Sequence, residues 1–349
     1  MSKAKEGFLR VILTMVVALA IGALLIIGIG ENPIEAYGAL LNGAFNGKFR
    51  LGTTLAGFTP LLLTSTAFAI AAKAGAFNVG VEGEVFLGGI VAAYIGINWT
   101  FLPKPLLMIA CFLGAMAVGA LWAFIPAALK AFYDVSEVCT TILMNTVALH
   151  ITSYLVSGPM SAGTANAQTL PVTVTLHQFM TPSSANVGIF IAIAAVIAVI
   201  FMLYKTSWGY KIRTVGGNPI HADYVGISSK KVFIGAMMLS GVLGGMAGCI
   251  EVLGVHGYFL NNFATGLGSN GMLAALIVKN NMFATPFMAF FLAVLSAGGM
   301  GMQQMTGVPK ALVDTIAAVF IIIATMETLF TFKKRRDVRL ARKEKEGQS

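Results

Sequence analysis

Long apolar stretches alternate with short polar ones along the chain of 349 residues. Several stretches run for about 20 residues with almost no charge, which is the length that a helix needs to cross a membrane. Backbone groups without partners are so costly in lipid that such stretches must be helical. The apolar segments cover residues 11–30, 53–73, 81–97, 105–129, 138–157, 187–204, 232–253, 270–280, 283–302 and 312–332. This pattern predicts an all-α integral membrane protein with about ten transmembrane helices.

Two of these segments depart from the simple pattern. Residues 11–30 follow basic residues, as in a signal peptide, but their apolar core is too long and lacks a cleavage site, which predicts a retained first helix. Residues 270–280 are too short for a straight crossing and are followed by Asn281. We expect them to be half of a broken or re-entrant helix, covered by protein or by a water-filled cavity.

The basic residues predict how the helices are oriented. The net charge of +9 is concentrated in residues 1–10, 205–231 and 332–349, whereas residues 158–186 contain no Asp, Glu, Lys or Arg. Because Lys and Arg accumulate on the cytoplasmic side, both termini and the 205–231 loop are predicted to be cytoplasmic and the 158–186 loop external. The basic tail, residues 333–349, is interpreted as an anchor to membrane lipid rather than a nucleic-acid site.

Composition argues against catalysis. The chain is 57% hydrophobic and 11% charged, with three cysteines and four histidines. The cysteines fall in apolar segments, where they behave as small hydrophobic residues, and no catalytic or metal-binding motif is present. We therefore expect neither an enzyme nor a metal site. Since no soluble segment is long enough to fold as a nucleotide-hydrolysing domain, any ATP must be used by another chain.

Glycines in the stretch SGVLGGMAG recur every four residues. Gly241 pairs with Gly245, and Gly244 with Gly248, so that each pair makes a small-residue face on which another helix can approach closely. Such faces occur in ordinary helix bundles and in specific homodimers. We favour ordinary packing within the bundle.

The stretch AFNVGVEGE places two acids between apolar segments. Asn78 is predicted to cap a helix that begins near Gly80, and Glu82 would then lie in the first turn, where the helix dipole favours a negative charge. Glu84 is not explained in this way, because two acids in one turn repel unless a basic group meets them. We expect Glu84 to contact a partner or to belong to a gate.

The 138–157 segment is unusually polar for a membrane helix and is predicted to lie inside the protein. One face carries Glu137, Thr141, Asn145, Ala148 and Thr152, and another carries Thr146, His150, Ser153 and Ser157. One face is expected to bond to neighbouring helices and the other to line a path for a polar solute. The candidates for the path are Glu137, Thr141, Asn145 and Glu251. His150 is interpreted as a hydrogen-bonded interior residue, since no metal-binding partner is suitably spaced.

The long polar segment after residue 204 contains the sequence VGGNPIHADYVG. Pro219 suits the first position of a short helix that runs to Val225, and Gly226 ends it. A short amphipathic helix parallel to the membrane is suited to a cleft on another protein. A plain surface connector explains the pattern equally well.

Three stretches resemble the permease subunits of bacterial ATP-binding-cassette importers for simple sugars, nucleosides and branched-chain amino acids. They are AGAFNVGVEGEVFLGG, SEVCTTILMN and GYKIRTVGGNPIHADYVGI. The first two look most like the versions found in nucleoside permeases. The resemblance runs in order from about residue 50 to 330. It implies a multi-pass protein of the bacterial cytoplasmic membrane, with residues 11–332 as the permease domain.

The resemblance also implies partners. Such a permease pairs with a second permease, receives solute from an extracellular substrate-binding lipoprotein, and is driven by ATPase subunits that bind ATP and magnesium. The extra length of residues 1–52 is typical of the longer permease of a heterodimer.

Two groups of residues match motifs of the family. The coupling segment, residues 216–226, is implied to dock on the ATPase and consists of Gly216, Gly217, Asn218, Pro219, His221, Ala222, Asp223 and Gly226. The signature segment, residues 78–84, is implied to be a structural or gating element through Asn78, Gly80, Glu82, Gly83 and Glu84. The expected function is ATP-driven nucleoside import by alternating access. The alternatives are an importer of a simple sugar such as ribose, and a secondary transporter that couples to ions through Glu251.

Overall fold

The computed structural model describes residues 16, 19–319 and 322. Within these residues the chain is helical, with isolated β-bridges and no β-strand. The helices are α1 (Leu19–Gly28), α2 (Pro33–Phe45), α3 (Gly47–Lys73), α4 (Val81–Asn98), α5 (Lys104–Tyr133), α6 (Glu137–Ser157), α7 (Gly188–Lys205), α8 (Ser207–Gly217), α9 (Pro219–Tyr224), α10 (Ser229–Ile250), α11 (Leu267–Ile277), α12 (Thr285–Thr306) and α13 (310–319). A π-helix, Glu251–His256, continues α10. The predicted all-α membrane fold is confirmed.

Seven helices in the described part of the chain are long and apolar enough to cross a membrane, counting α10 with its π-helical extension. An eighth crossing is possible if α1 and α2, which are bent by 117°, form one broken span. The 270–280 segment is the short helix α11, as expected, and α2 was not predicted. The predicted terminal segments 1–10 and 333–349 lie outside the described residues, and the orientation of the helices stays a prediction.

The chain divides into two units. Unit 2, residues 45–294, contains α3 to α11 and is packed around α10, which lies against α3, α4 and α5. Unit 1 comprises the chain up to residue 44 and from residue 295 onward. Within unit 1, Tyr37 Oη donates to the Leu19 carbonyl at 2.6 Å, and Gly43 of α2 contacts Gly301 of α12.

Close packing of α10 depends on its glycines. A methyl group at Gly241 or Gly245 would overlap the backbone of α5, and one at Gly248 would overlap the backbone of α4. A methyl group at Gly244 would lie 2.7 Å from Glu84 Cβ, also on α4. The two glycine faces therefore pack against two helices of the same chain, which confirms the expectation of ordinary bundle packing.

The predicted external loop 158–186 is packed against the protein. Its backbone runs beside residues 253–259, with hydrogen bonds of 2.9 Å from Thr169 N to the Phe259 carbonyl and of 2.8 Å from Leu176 N to the Leu253 carbonyl. Val174, which lies between Thr169 and Leu176 in the sequence, is buried. This segment therefore covers the chain that leaves the π-helix.

Candidate functional site

The coupling segment forms the predicted short helix. Helix α9 begins at Pro219, and Asn218 Oδ1 accepts a hydrogen bond from His221 N at 3.0 Å, which caps the helix. Ala222 is fully buried, whereas the other side chains of α9 are exposed. Gly226 ends the turn with a φ of +82°, which glycine adopts without strain. Helix α9 is thus a capped helix that buries one small side chain, Ala222, against the protein.

Asp223 connects α9 to α10. Its carboxylate accepts hydrogen bonds from Ser229 N at 2.8 Å and from Ser229 Oγ at 2.7 Å, at the start of α10. The backbone hydrogen bond lowers the pKa of Asp223 most, followed by the bond from the hydroxyl. Because the folded-state pKa lies below the ordinary value, the connection is present at neutral pH and is lost only as pH falls through that lowered pKa.

The adjacent glycines Gly216 and Gly217 of the coupling segment have different surroundings. A methyl group at Gly216 would overlap the Lys73 carbonyl and lie 3.2 Å from Gly75 N, in the turn between α3 and α4. A methyl group at Gly217 would meet nothing within 4 Å. Gly216 therefore holds the coupling segment against the α3–α4 turn, and Gly217 belongs to its open surface.

We expect Gly216→Ala to displace the coupling segment and Gly217→Ala to leave it in place. The added methyl group overlaps a backbone oxygen in the first variant, and overpacking of this kind costs about 1–3 kcal/mol. Thermal unfolding of the two purified variants checks this, with a lower Tm for Gly216→Ala alone. Equal melting temperatures would show that the α3–α4 turn does not hold the segment.

The signature segment is organised by Asn78. Its Nδ2 donates to Glu84 Oε1 at 2.8 Å and to Ser240 Oγ at 2.9 Å, and its Oδ1 accepts from Gly80 N at 3.0 Å. Asn78 and Glu84 are both 1% exposed. The predicted helix cap is wrong in detail, because Gly80 occupies the capping position and Asn78 lies two residues earlier. Asn78 instead joins α4 to α10.

The two acids of the signature segment point to different surroundings. Glu82 is partly exposed and accepts a hydrogen bond from Ser269 Oγ at 3.3 Å. Glu84 Oε2 is buried and has no hydrogen-bond partner among the described residues. The hydrogen-bond partner of the Glu84 carboxylate among the described residues is therefore the Asn78 amide, not a basic group. The proposed gate or partner contact of Glu84 stays a prediction.

Helix α6 lies at the edge of unit 2, so the prediction that it is interior is wrong for the single chain. Its buried face carries Thr141, Ala148 and Thr152 and packs mainly on α4. The opposite face exposes Thr146 and His150. Sequence reasoning could not tell the faces apart, because both are polar and α6 lacks a single apolar stripe.

Two candidates for the path, Asn145 and Glu137, link α6 to its neighbours. Asn145 Nδ2 donates to the Val79 carbonyl at 2.9 Å, and its Oδ1 accepts from Gly83 N at 2.8 Å. Thr141 donates to the Glu137 carbonyl at 2.7 Å, and Glu137 lies 3.8 Å from Lys130. The Asn145 bonds attach α6 to the signature segment, the Thr141 bond lies within α6, and Glu137 faces α5. The part of these residues in a path stays a prediction.

Glu251 begins the π-helix and is 7% exposed. Its Oε2 lies 3.6 Å from His256 Nε2, one turn of the π-helix further on. The sequence predicts no π-helix, although such a turn is often found at functional sites. No group of three or more His, Cys, Asp or Glu in the described part of the chain is placed to hold a metal ion.

The comparisons with known proteins identify the family. Residues 50–325 match the model described as the permease component of the branched-chain amino acid transport system. The chain belongs to this family. It is therefore a multi-pass permease of the cytoplasmic membrane, and its described helices supply the spans. Permeases of this family are transport subunits.

Three relatives match this chain over most of the length of both proteins. The chain is 33% identical to the glucose ABC transporter permease protein of Haloferax volcanii over 91% of this chain and 87% of the relative. It is 32% identical to the guanosine ABC transporter permease protein NupP of Bacillus subtilis over 95% and 97%. It is 30% identical to the nucleoside ABC transporter permease protein NupB of Lactococcus lactis over 89% and 88%. No solved structure matches the chain.

The relatives also include pairs of permeases from single organisms. NupQ of Bacillus subtilis, likewise a guanosine permease protein, is 27% identical to this chain, and the nucleoside permease protein NupC of Lactococcus lactis is 24% identical. Two such permeases in each organism indicate that members of this family work with other permease subunits.

Proposed function

We propose that this chain is the longer permease of an ATP-driven nucleoside importer. The observation that carries the proposal is the likeness to two nucleoside permeases over nearly the whole chain, including 97% of NupP. The capped coupling segment with its open surface at Gly217 supports the importer part of the proposal. An ATPase subunit that binds ATP and magnesium would supply the energy, and an extracellular binding lipoprotein would deliver the solute.

The contacts of the coupling segment suggest how movement reaches the membrane. Gly216 presses against the turn between α3 and α4, and that turn leads directly into Asn78. Asn78 bonds to Glu84 on α4 and to Ser240 on α10, while Asn145 attaches α6 to the same turn. A displacement of α9 by the ATPase would therefore act on α4, α6 and α10 together, as alternating access requires.

Gly217→Asp is expected to uncouple transport from ATP. The chain has room for the side chain, since nothing lies within 4 Å of the position, so the permease should still fold and reach the membrane. The added bulk and charge would stand on the surface that meets the ATPase and weaken docking. ATP-driven uptake by membrane vesicles should fall while the amount of permease stays unchanged. Normal uptake would contradict the assignment of the coupling segment. Gly217→Ala, which adds only a methyl group in the same open space, is the matched control and should transport normally.

A simple sugar is the second candidate solute. The observation that favours it is the glucose permease of Haloferax volcanii, which is 33% identical to this chain. An ion-coupled carrier that uses Glu251 is a third hypothesis. The observation that supports this carrier is that Glu251 is buried beside His256. Ionisable groups inside membranes often mark ion paths.

Purification of the tagged chain from its native membrane separates the importer from the carrier. The importer predicts that an ATPase with Walker motifs and a second, shorter permease are purified with it. A chain that comes out alone, and that moves solute in vesicles under an ion gradient without ATP, would overturn the proposal and favour Glu251 as the coupling residue.

A further inference from the structure

The chain between the π-helix and α11 runs through the membrane-spanning part of unit 2 without being helical. Gly257 and Gly266 bound it, with φ values of +76° and +85°. The Phe263 ring lies against Phe86 of α4, with ring centroids 5.7 Å apart. Further along, Thr64 Oγ1 of α3 donates to the Leu267 carbonyl at 3.2 Å. These contacts are with the second turn of α4 and with a middle turn of α3, so the break lies beside two helices that cross the membrane.

This non-helical segment, together with the first turn of α11, exposes a set of polar side chains. They are Asn262, Thr265, Ser269 and Asn270. The side-chain amides of Asn262 and Asn270 make no hydrogen bond to another residue in the part of the chain that the structure describes. Glu82 adjoins them, because Ser269 Oγ donates to its carboxylate at 3.3 Å. Together these five residues are called the polar wall.

Helix α6 extends the polar wall. Ser153 Oγ donates to Asn261 Oδ1 at 2.7 Å, which joins α6 to the non-helical segment. One turn earlier on α6, His150 is exposed, as is Thr146. Polar side chains are therefore exposed on two elements that this hydrogen bond joins, and lipid cannot cover the polar wall without leaving amides and a carboxylate in hydrocarbon.

We propose that the polar wall lines the water-filled path and contacts the solute as it passes. The amides of Asn262 and Asn270, with the exposed Thr265 and Ser269 hydroxyls beside them, can form and break hydrogen bonds with a neutral solute rich in hydroxyl and N–H groups, which is the chemistry of a nucleoside. A water-filled path would keep the Glu82 carboxylate hydrated. The surface of a partner helix would remove that water and leave the charge without compensation. This proposal rests on the proposed function for the solute class, and it assigns to the path residues that the sequence did not suggest.

Cysteine labelling tests the polar wall directly. Asn270→Cys and Ile197→Cys are made in a chain with Cys139→Ser, since Cys139 is exposed whereas Cys111 and Cys249 are buried. Ile197 is 61% exposed on the apolar helix α7 and serves as the lipid-facing control. The probe is a charged methanethiosulfonate, applied to both sides of vesicles that contain the whole complex. The cysteine thiolate displaces sulfinate from the probe, and a mixed disulfide forms.

The polar wall predicts that Asn270→Cys is labelled at least about tenfold faster than Ile197→Cys, because only a thiolate in contact with water reacts with a charged reagent. A lipid-soluble maleimide is applied in parallel. Labelling of Asn270→Cys by the maleimide alone would place the wall in lipid, and labelling by neither reagent would place it under a partner subunit. Either result overturns the proposal.

Uptake measured on the same vesicles keeps this inference apart from the proposed function. Rapid charged labelling of Asn270→Cys in a complex that imports a sugar would support the path and refute the nucleoside. ATP-driven nucleoside uptake by a complex that shows no charged labelling would support the function and refute the polar wall.

Discussion

Gly245→Leu is expected to prevent unit 2 from folding. The side chain at this position would overlap the Ala115 carbonyl of α5, and Ala115 C lies only 2.9 Å from the first added carbon. Both obstacles are backbone atoms, which no change of rotamer can move. Helix α10 would have to separate from α5 over its whole contact, and the lost packing would be comparable with a total stability of about 5–15 kcal/mol.

The amount of monodisperse protein after detergent extraction measures this effect. Gly57→Leu is the matched control, because Gly57 is also helical and nothing lies within 4 Å of its added methyl group. The packing described for α10 predicts loss of the Gly245 variant and normal yield of the Gly57 variant. A Gly245→Leu protein that is extracted and melts like the unaltered chain would show that α10 and α5 do not meet at this glycine.

Asn78→Asp is expected to disrupt the junction of α4 and α10 and to stop uptake. The change preserves shape but replaces the amide donor, 2.8 Å from Glu84 Oε1 and 2.9 Å from Ser240 Oγ, by an acceptor. Two buried carboxyl groups would then face each other with no basic partner among the described residues. Removing one partner of a buried polar pair costs about 3–5 kcal/mol when a charge is left uncompensated.

The double variant Asn78→Asp/Glu84→Gln tests whether the pair itself is responsible. It restores one amide and one carboxylate at the same positions with their roles exchanged, and the Ser240 hydroxyl can donate instead of accept. Thermal unfolding and ATP-driven uptake should both recover in part. If the double variant were no better than Asn78→Asp alone, the Asn78–Glu84 hydrogen bond would not be what holds α4 and α10 together.

The transmembrane helices and the coupling helix were predictable because their signals are local. An uncharged apolar run gives a membrane helix from its own composition, and Pro219 and Gly226 mark the ends of α9 without help from the rest of the chain. Helix α2 was missed because polar residues and glycines interrupt its sequence, PIEAYGALLNGAF, so that its apolar runs are short. Helix α2 is joined to α1 through a bend of 117°. Gly30 and Asn32-Pro33 are local signals for a turn, but they do not fix its angle.

The contacts of the candidate site depend on residues far apart in sequence. Asn78 meets Ser240, Glu82 meets Ser269, and Asn145 meets Val79. The sequence identified the residues of the signature segment as unusual, because carboxylates are costly in a membrane, but it could not supply their partners. For the same reason the exposed and buried faces of α6 became clear only when α4 was seen to pack against one of them.

ATP-driven uptake of labelled guanosine decides whether this permease belongs to a nucleoside importer. The permease, its co-purified partners and the binding protein are reconstituted in liposomes with ATP inside the compartment that faces the ATPase. Unlabelled nucleosides, glucose and a branched-chain amino acid serve as competitors. A nucleoside importer should show uptake that requires ATP, is blocked by excess nucleoside and is unaffected by glucose or the amino acid. Uptake that proceeds without ATP, or that only glucose blocks, would contradict it.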